Sequence, residues 1–400
     1  MSSQNDIVVT GIAAISSHGN SVDEIWQSLS TETKAARRAE YNLAAFKAAP
    51  YLTDKRMMKA VSHRDSIGLA AVEELKRSIK LGDANIDAYR KGFFVGACPS
   101  TVDDNDNYID AVKGSQQTDG KYSEFEYGRR CMDARPTTLL LGLPNNVLCY
   151  GAIITDAKGP NNNYTSGDTS SHCALRAAMR SFETGRIDFS VVGGYSVQTN
   201  PFILGILGQS GELRRSASDE NATMYSDGAV MMSLERRAAA EARGVKANAS
   251  IQTVVFASTP CGPVPSQQKP SAKIIERMMS NALERAGIAM KDVAILFHSG
   301  NGLKRVDSAE VEAISAVCGG EAANVAIGSL GYCMGNMLEA SGLLEIAIAQ
   351  KIQAAGGEMP ASIRTDGMGA ATAPSTRKHV MIIKTSPAGE HSCVVAKLEA

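Results

Sequence analysis

The segment from Gly159 to Gly194, GPNNNYTSGDTSSHCALRAAMRSFETGRIDFSVVGG, constrains the fold more than any other stretch of this chain. It reads as a short strand, a sharp turn at Asp168, an Ala-rich helix and a second strand closed by Gly193-Gly194. Ala174, Ala177 and Ala178, with Leu175, Met179 and Phe182, leave the helix little polar surface before Gly185 ends it. A helix of that composition is buried on most sides. Its small residues let neighbouring backbones come close, which suits a central helix held between two sheets.

The rest of the chain supports an α/β class with parallel strands. Strand-like runs at Ile7 to Val9, Phe189 to Val192, Val230 to Leu234, Val254 to Ala257 and Ala294 to Phe297 alternate with helix-length amphipathic segments. Ser21 and Glu24 have capping-box spacing, and Val22, Ile25, Trp26 and Leu29 follow on one helical face. A second helix carries Ile67, Ala71, Leu75 and Ile79 on one face, with Gly82 as its expected left-handed stop. Ser100 to Tyr127 is polar and reads as a surface excursion. With 400 residues the chain exceeds the size at which one core stops growing. The charged, then turn-like run at 236–250 divides it into halves 1–248 and 249–400.

Composition excludes several classes of function. Lys and Arg number 41 against 42 Asp and Glu, without a long run of either sign, so no electrostatic hold on nucleic acid or an anionic membrane is expected. No apolar run reaches membrane-span length, and the N-terminus has no basic signal region; a soluble, cytoplasmic protein is expected. The eight cysteines, at 98, 131, 149, 173, 261, 318, 333 and 393, form no CxxC, and no His pair has ligand spacing. Buried free thiols are therefore expected, with no bound metal and no disulfide frame.

Several motifs resemble the β-ketoacyl synthases of the thiolase superfamily. IVVTGIAAISSHGNSVDEIWQSL, with Thr10-Gly11, Gly19-Asn20 and Trp26, is similar to that family's opening. Leu143-Pro144-Asn145 and Lys158-Gly159-Pro160 fall where the family has similar residues, and the 159–194 segment has the frame of its nucleophile elbow. FHSGNGLKRVDSAEVEAI resembles the histidine loop, although Asp307 and Glu310 lie one residue further from His298 than expected. GNMLEASGLLE, Gly335 to Glu345, resembles the segment that carries a second histidine. The resemblance implies a duplicated, thiolase-like five-layer αβαβα fold, normally dimeric. It also implies that Asp168 stands for the reactive cysteine, Asn336 for the second histidine and Gly331 for a lysine, while His298 fits the first histidine. The phosphopantetheine loop, His298 to Gly302, and the terminal glycine-rich switch, Thr385 to Gly389, both depart from the family pattern.

A thiolate at a helix start is a good nucleophile and leaving group, whereas an acyl-aspartate would be a hydrolysable anhydride. Asp168 therefore reads first as a helix N-cap, accepting from the N–H groups of Ser170 or Ser171 with its pKa depressed. The resemblance then implies a non-catalytic ketosynthase-like subunit, a chain-length factor, paired with a cysteine-bearing ketosynthase as a heterodimer, or forming a homodimer. Such a subunit binds no cofactor of its own and meets phosphopantetheine-linked acyl chains on an acyl-carrier protein. Leu140, Leu143, Pro144 and Asn145, within Pro136 to Ile153, are candidates for the acyl tunnel or interface, with ordinary core packing as the alternative. Asp54-Lys55-Arg56-Met57-Met58 resembles aryl polyene systems. The competing reading is a stand-alone malonyl-carrier decarboxylase or atypical condensing enzyme using Asp168, His298 and Asn336. Against it stands His298 as a merely hydrogen-bonded residue at a strand end.

Overall fold

A computed structural model describes residues 6–32, 41–83, 85–99, 107–132, 138–199, 204–205, 208–209, 211–214, 219, 221–260 and 269–399. Ten strands form one ladder in the order β3-β2-β4-β5-β1-β6-β10-β9-β7-β8. These are β1 (Ile7–Ser16), β2 (Lys91–Ala97), β3 (Asn161–Tyr164), β4 (Phe189–Ser196), β5 (Gly228–Arg236), β6 (Ala249–Ser258), β7 (Val293–Phe297), β8 (Ala326–Gly328), β9 (His379–Thr385) and β10 (Glu390–Leu398). Among the described residues, the first five strands pair with the last five only at Val8↔Ser250 and Val9↔Ala249. β2 runs parallel to β3 and β4, and β7 to β8 and β9. The other pairings are antiparallel, which corrects the expectation of parallel strands to a mixed sheet. Each half of the ladder sets a parallel trio beside an antiparallel pair.

Eight helices matter for the site: α1 (Val22–Thr31), α2 (His63–Ser78), α3 (Asn146–Thr155), α4 (Ser170–Glu183), α5 (Ala272–Ala286), α6 (Lys304–Cys318), α7 (Gly331–Met334) and α8 (Leu344–Ala354). Three apolar clusters define their layers. Ile67, Leu69, Ala71 and Leu75 of α2 and Val147 of α3 pack with Phe93, Val95, Phe189, Val191 and Met231 on the outer face of the first half-sheet. Ile275, Met279, Ala309 and Ile314 of α5 and α6 cover Leu296, Met381, Ile383 and Val395 in the same way. Between the half-sheets lie α4 and α8, whose Ala174, Leu175, Ala178, Phe182, Ile346, Ile348 and Ile352 share one cluster with residues of both. The result is the five-layer αβαβα arrangement, and the Ala-rich helix occupies its middle layer.

Local signals hold with adjustments. Ser21 accepts from Glu24 N–H at 3.2 Å, but the Glu24 carboxylate returns to Asn20 N–H rather than closing a box. The complete capping box is at Ser62 and Asp65. α2 is capped by Ile79, and the left-handed residue after it is Lys80, with φ 51°, not Gly82. The Asp54–Met58 cluster is a capped surface turn: Asp54 accepts from Arg56 and Met57 N–H groups and starts the helix Lys55–Ala60. Within the polar excursion, helices Asn107–Gly114 and Glu124–Cys131 flank a Gln116–Tyr122 bridge, while 100–106 lie outside the described residues. Cys98, Cys318, Cys333 and Cys393 are buried, but Cys149 is exposed and Cys131 and Cys173 are half-buried, because their helix faces turn outward. Cys261 lies outside the described residues.

One buried network fixes the loop before α3. Asp65, fully buried, accepts from Arg64 Nε and Nη2 at 3.0 and 2.9 Å and from Asn146 Nδ2 at 2.9 Å. Arg64 also donates to the Leu143 carbonyl at 2.8 Å, and Tyr195 donates to the Pro144 carbonyl at 2.7 Å. Removing one member of a buried ion pair leaves the other charge uncompensated. Asp65→Ala is expected to cost about 3–5 kcal/mol in urea unfolding, whereas Asp54→Ala, at an exposed cap, should cost about 1 kcal/mol.

Candidate functional site

Asp168 sits in a single tight turn, Gly167–Thr169, immediately before α4. Gly167 takes φ 50°, which bends the chain from β3 into the helix. Ser166 N–H donates to Ser170 Oγ at 2.7 Å, so a serine, not the aspartate, ties the turn to the helix. The helix N-cap is Thr169, which makes no side-chain cap bond, and the Asp168 side chain points away into the interior. The N-cap expectation for Asp168 is therefore corrected.

What Asp168 meets instead is Asn336. Asn336 follows α7 and Gly335, whose φ of 75° turns the backbone there. Its Nδ2 donates to Asp168 Oδ1 at 2.8 Å and to Asn301 Oδ1 at 3.0 Å, while its Oδ1 accepts from Leu338 N–H at 2.8 Å. Asp168 Oδ2 is buried without a hydrogen-bond partner. Burial thus outweighs the Asn336 hydrogen bond and the field of Lys384, and pushes the Asp168 carboxyl up to about 6, the reverse of the depression expected for a capping carboxylate. Glu339, fully buried nearby, is pushed up to about 7 by burial, although Ser196 Oγ and Gln198 Nε2 donate to it at 2.9 and 3.1 Å. The positive charge in this interior, Lys384, is paired with Glu345 at 2.6 Å.

His298 is fully buried just after β7 and is not brought to Asp168. Its Nδ1 lies 3.2 Å from Glu310 Oε2 and its Nε2 2.8 Å from Thr365 Oγ1. Both ring nitrogens are thus engaged away from Asp168. Burial opposes ionisation of Glu310, yet His298 and Ser299 hold its carboxyl below the usual range. Ser299 carries the connection toward Asp168: Ser299 Oγ donates to Glu310 Oε1 at 2.6 Å and accepts from Thr385 N–H at 2.7 Å. The Thr385 carbonyl accepts from Asn301 Nδ2 at 2.8 Å, and Asn301 meets Asn336. Sequence reading singled out neither Ser299 nor Asn301 as functional. The extra residue between His298 and Asp307 was the available signal, because counting from Ser299 restores the expected spacing.

Gly331 has no room for a side chain: a Cβ there would lie 2.6 and 2.7 Å from the carbonyl oxygens of Ser299 and Gly300. The pocket lined by Tyr41, Asn301, Gly331 and Tyr332 has a volume of about 30 Å³, enough for a water or two. Such a site can hold a hydrogen-bonded interior together. Among the described residues lining it there is no cysteine and no histidine.

Comparison with known proteins places this geometry. Residues 42–240 match the model described as "Beta-ketoacyl synthase, N-terminal domain", and residues 252–364 the model described as "Beta-ketoacyl synthase, C-terminal domain". The chain belongs to the β-ketoacyl synthase family. Nodulation protein E of Rhizobium sp. strain N33 is 24% identical over 366 residues, covering 87% of this chain and 86% of that protein. The highly reducing polyketide synthase sorA of Penicillium rubens is 26% identical over 214 residues, 52% of this chain, and the match spans only 8% of that synthase. Among solved structures, a β-ketoacyl synthase from Burkholderia phymatum STM815 has a TM-score of 0.81 at 18% identity, covering 99% of this chain and 100% of that one. The ishigamide ketosynthase/chain length factor gives 0.78 at 16% identity, with 100% of both chains covered. A type II polyketide synthase acyl-carrier protein in complex with its ketosynthase gives 0.75 at 16%, covering 99% of this chain and 100% of that one. At these identities the likeness establishes a shared ketosynthase fold. No helix among the described residues is long and apolar enough to cross a membrane.

The raised Asp168 carboxyl has a testable sign. The folded state holds this proton more tightly than the unfolded chain, so stability from this group is highest below the unfolded value near 3.8 and falls as pH rises toward about 6. Asp168→Asn should therefore stabilise the protein at pH 8, by up to about 3 kcal/mol, and the gain should vanish near pH 4. Urea unfolding at the two pH values measures it. A destabilised variant at pH 8 would mean that the ionised carboxylate is needed by the fold.

Proposed function

We propose that this chain is a non-catalytic ketosynthase-like subunit, a chain-length factor, that pairs with a cysteine-bearing ketosynthase and shapes the tunnel for acyl chains carried on an acyl-carrier protein. One observation carries this reading. Asp168, at the elbow where the family places its nucleophile, is a buried carboxylate hydrogen-bonded to Asn336, inside an intact family fold. A degraded centre in a preserved scaffold is what a partner subunit retains. We infer that Ser299, rather than His298, occupies the first histidine position, and that residues 1–248 and 249–400 are the two repeats.

The loop and helix around 140–153 support a pairing surface. Leu140, Leu143 and Ile153 are 58%, 40% and 68% exposed, and Cys149 is exposed beside them. A run of large apolar side chains left in water is the mark of a surface that another protein covers. The Arg64–Asp65–Asn146 network and the Tyr195 hydroxyl hold that run in place from behind. Pro136 lies outside the described residues. Kinship with a ketosynthase/chain length factor and with a ketosynthase that meets an acyl-carrier protein is compatible with these partners.

The alternative, a stand-alone decarboxylase or condensing enzyme using Asp168, His298 and Asn336, meets a geometric difficulty. The His298 nitrogens face Glu310 and Thr365, and Asn336 is committed to Asp168, Asn301 and Leu338. Native mass spectrometry of the chain co-expressed with a cysteine-bearing ketosynthase should give a one-to-one complex, and the pure chain should release no carbon dioxide from malonyl-carrier protein. Leu140→Asp with Ile153→Asp should keep the chain folded and raise the dissociation constant of the complex at least about tenfold, the value of one well-buried contact. A homodimer that decarboxylates, and stops doing so on His298→Ala, overturns the reading.

A further inference from the structure

Three side chains from distant parts of the chain converge near the turn that carries Asn336. His18 follows β1, Glu32 follows α1, and Cys333 lies in α7. His18 Nε2 is 3.3 Å from Glu32 Oε2, Cys333 Sγ is 3.1 Å from the same oxygen, and Cys333 Sγ is 3.7 Å from His18 Nε2. One potential ligand atom from each residue thus lies within 4.8 Å of the other two. We propose that His18, Glu32 and Cys333 bind a zinc ion.

Three arguments carry this beyond a chance triad. The first is size. A tetrahedral zinc with Zn–N and Zn–O near 2.1 Å and Zn–S near 2.3 Å separates its ligands by roughly 3.3–3.6 Å. The observed spacing needs only a few tenths of an ångström of adjustment, the Cys333–Glu32 edge opening the most. The second is orientation. Ser17 Oγ holds the other imidazole nitrogen, Nδ1, at 3.2 Å, and Ser28 Oγ donates to the other Glu32 oxygen, Oε1, at 3.2 Å. Two of the three ligands, His18 and Glu32, therefore have the outer atom held by a hydroxyl, as metal ligands commonly do. The third is charge and softness. Thiolate, carboxylate and neutral imidazole balance a divalent cation, and a sulfur–nitrogen–oxygen set favours zinc over magnesium or calcium. Binding converts the Cys333 thiol to a thiolate and releases its proton to solvent.

The side chains of His18 and Cys333 are buried while Glu32 keeps 15% of its side chain exposed, so the cluster lies just beneath the surface. The ion would tie the first strand and helix to α7, three residues before Asn336. The ring of Tyr41, 5.3 Å from that of His18, lies between the cluster and the small pocket beside Asn301. Reading the sequence for local ligand spacing gave no metal, because residues 18, 32 and 333 share no motif and meet only in the fold.

Cobalt(II) titration of the untagged, full-length, metal-stripped chain tests the proposal. Stoichiometric binding with a thiolate-to-cobalt charge-transfer band is expected, displaced by zinc. Cys333→Ser should abolish the band and Cys149→Ser should keep it. Should Cys333→Ser not fold by circular dichroism, Glu32→Gln should retain the band with affinity weakened on the order of tenfold or more. Absence of a thiolate band in the folded wild-type chain, or its persistence at full strength in Cys333→Ser, overturns the proposal and leaves a hydrogen-bonded triad only.

Discussion

The centre of this protein depends on how closely the Leu338–Ala340 turn lies against β2 and β4. Gly96 and Gly194 make that approach possible: a methyl at Gly194 would collide with the Glu339 carbonyl, and one at Gly96 would meet both that carbonyl and Ser170 at under 3 Å. Backbone contact of this kind allows the second half of the chain to reach the elbow in the first. It sets Asn336 on Asp168 and delivers Glu339 to Ser196 and Gln198. The interior therefore combines apolar layers, from which water is excluded, with a narrow polar seam running between the halves.

That seam explains how the elbow holds its shape with an aspartate at its tip. In a dry interior a charged group needs several donors, and Asp168 has one side-chain donor for two oxygens. Burial accordingly raises its carboxyl to about 6, without giving it the nucleophile and leaving-group chemistry of a thiolate. By contrast, Glu310 is supplied by His298 and the Ser299 hydroxyl and N–H, and stays ionised in equally complete burial. The difference lies in donor count.

Much of the layer plan was legible because it rests on local patterns. The Ala-rich helix, the strand runs and the Ser21 start follow from side-chain size, periodicity and capping, and the sharp turn at Asp168 before that helix was legible in the same segment. What was not legible depended on direction and on distant partners. A one-residue step along the strand exit sends His298 toward Thr365 and Ser299 toward Thr385, with Glu310 shared by both, and only the extra residue before Asp307 hinted at that step. Asp168 has cap-like chemistry in sequence, but its rotation away from the helix is imposed by Asn336, 168 residues later. Strand directions were misjudged for a similar reason: buried parallel and buried antiparallel strands both read as unbroken apolar runs.

Gly331 is a position that the surrounding backbone has closed. The Ser299 and Gly300 carbonyls occupy the space that any side chain there would need. A new side chain at 331 would therefore have to arrive together with a rearranged loop, and substitutions at Asp168 or Asn336 alone would leave that neighbouring position shut.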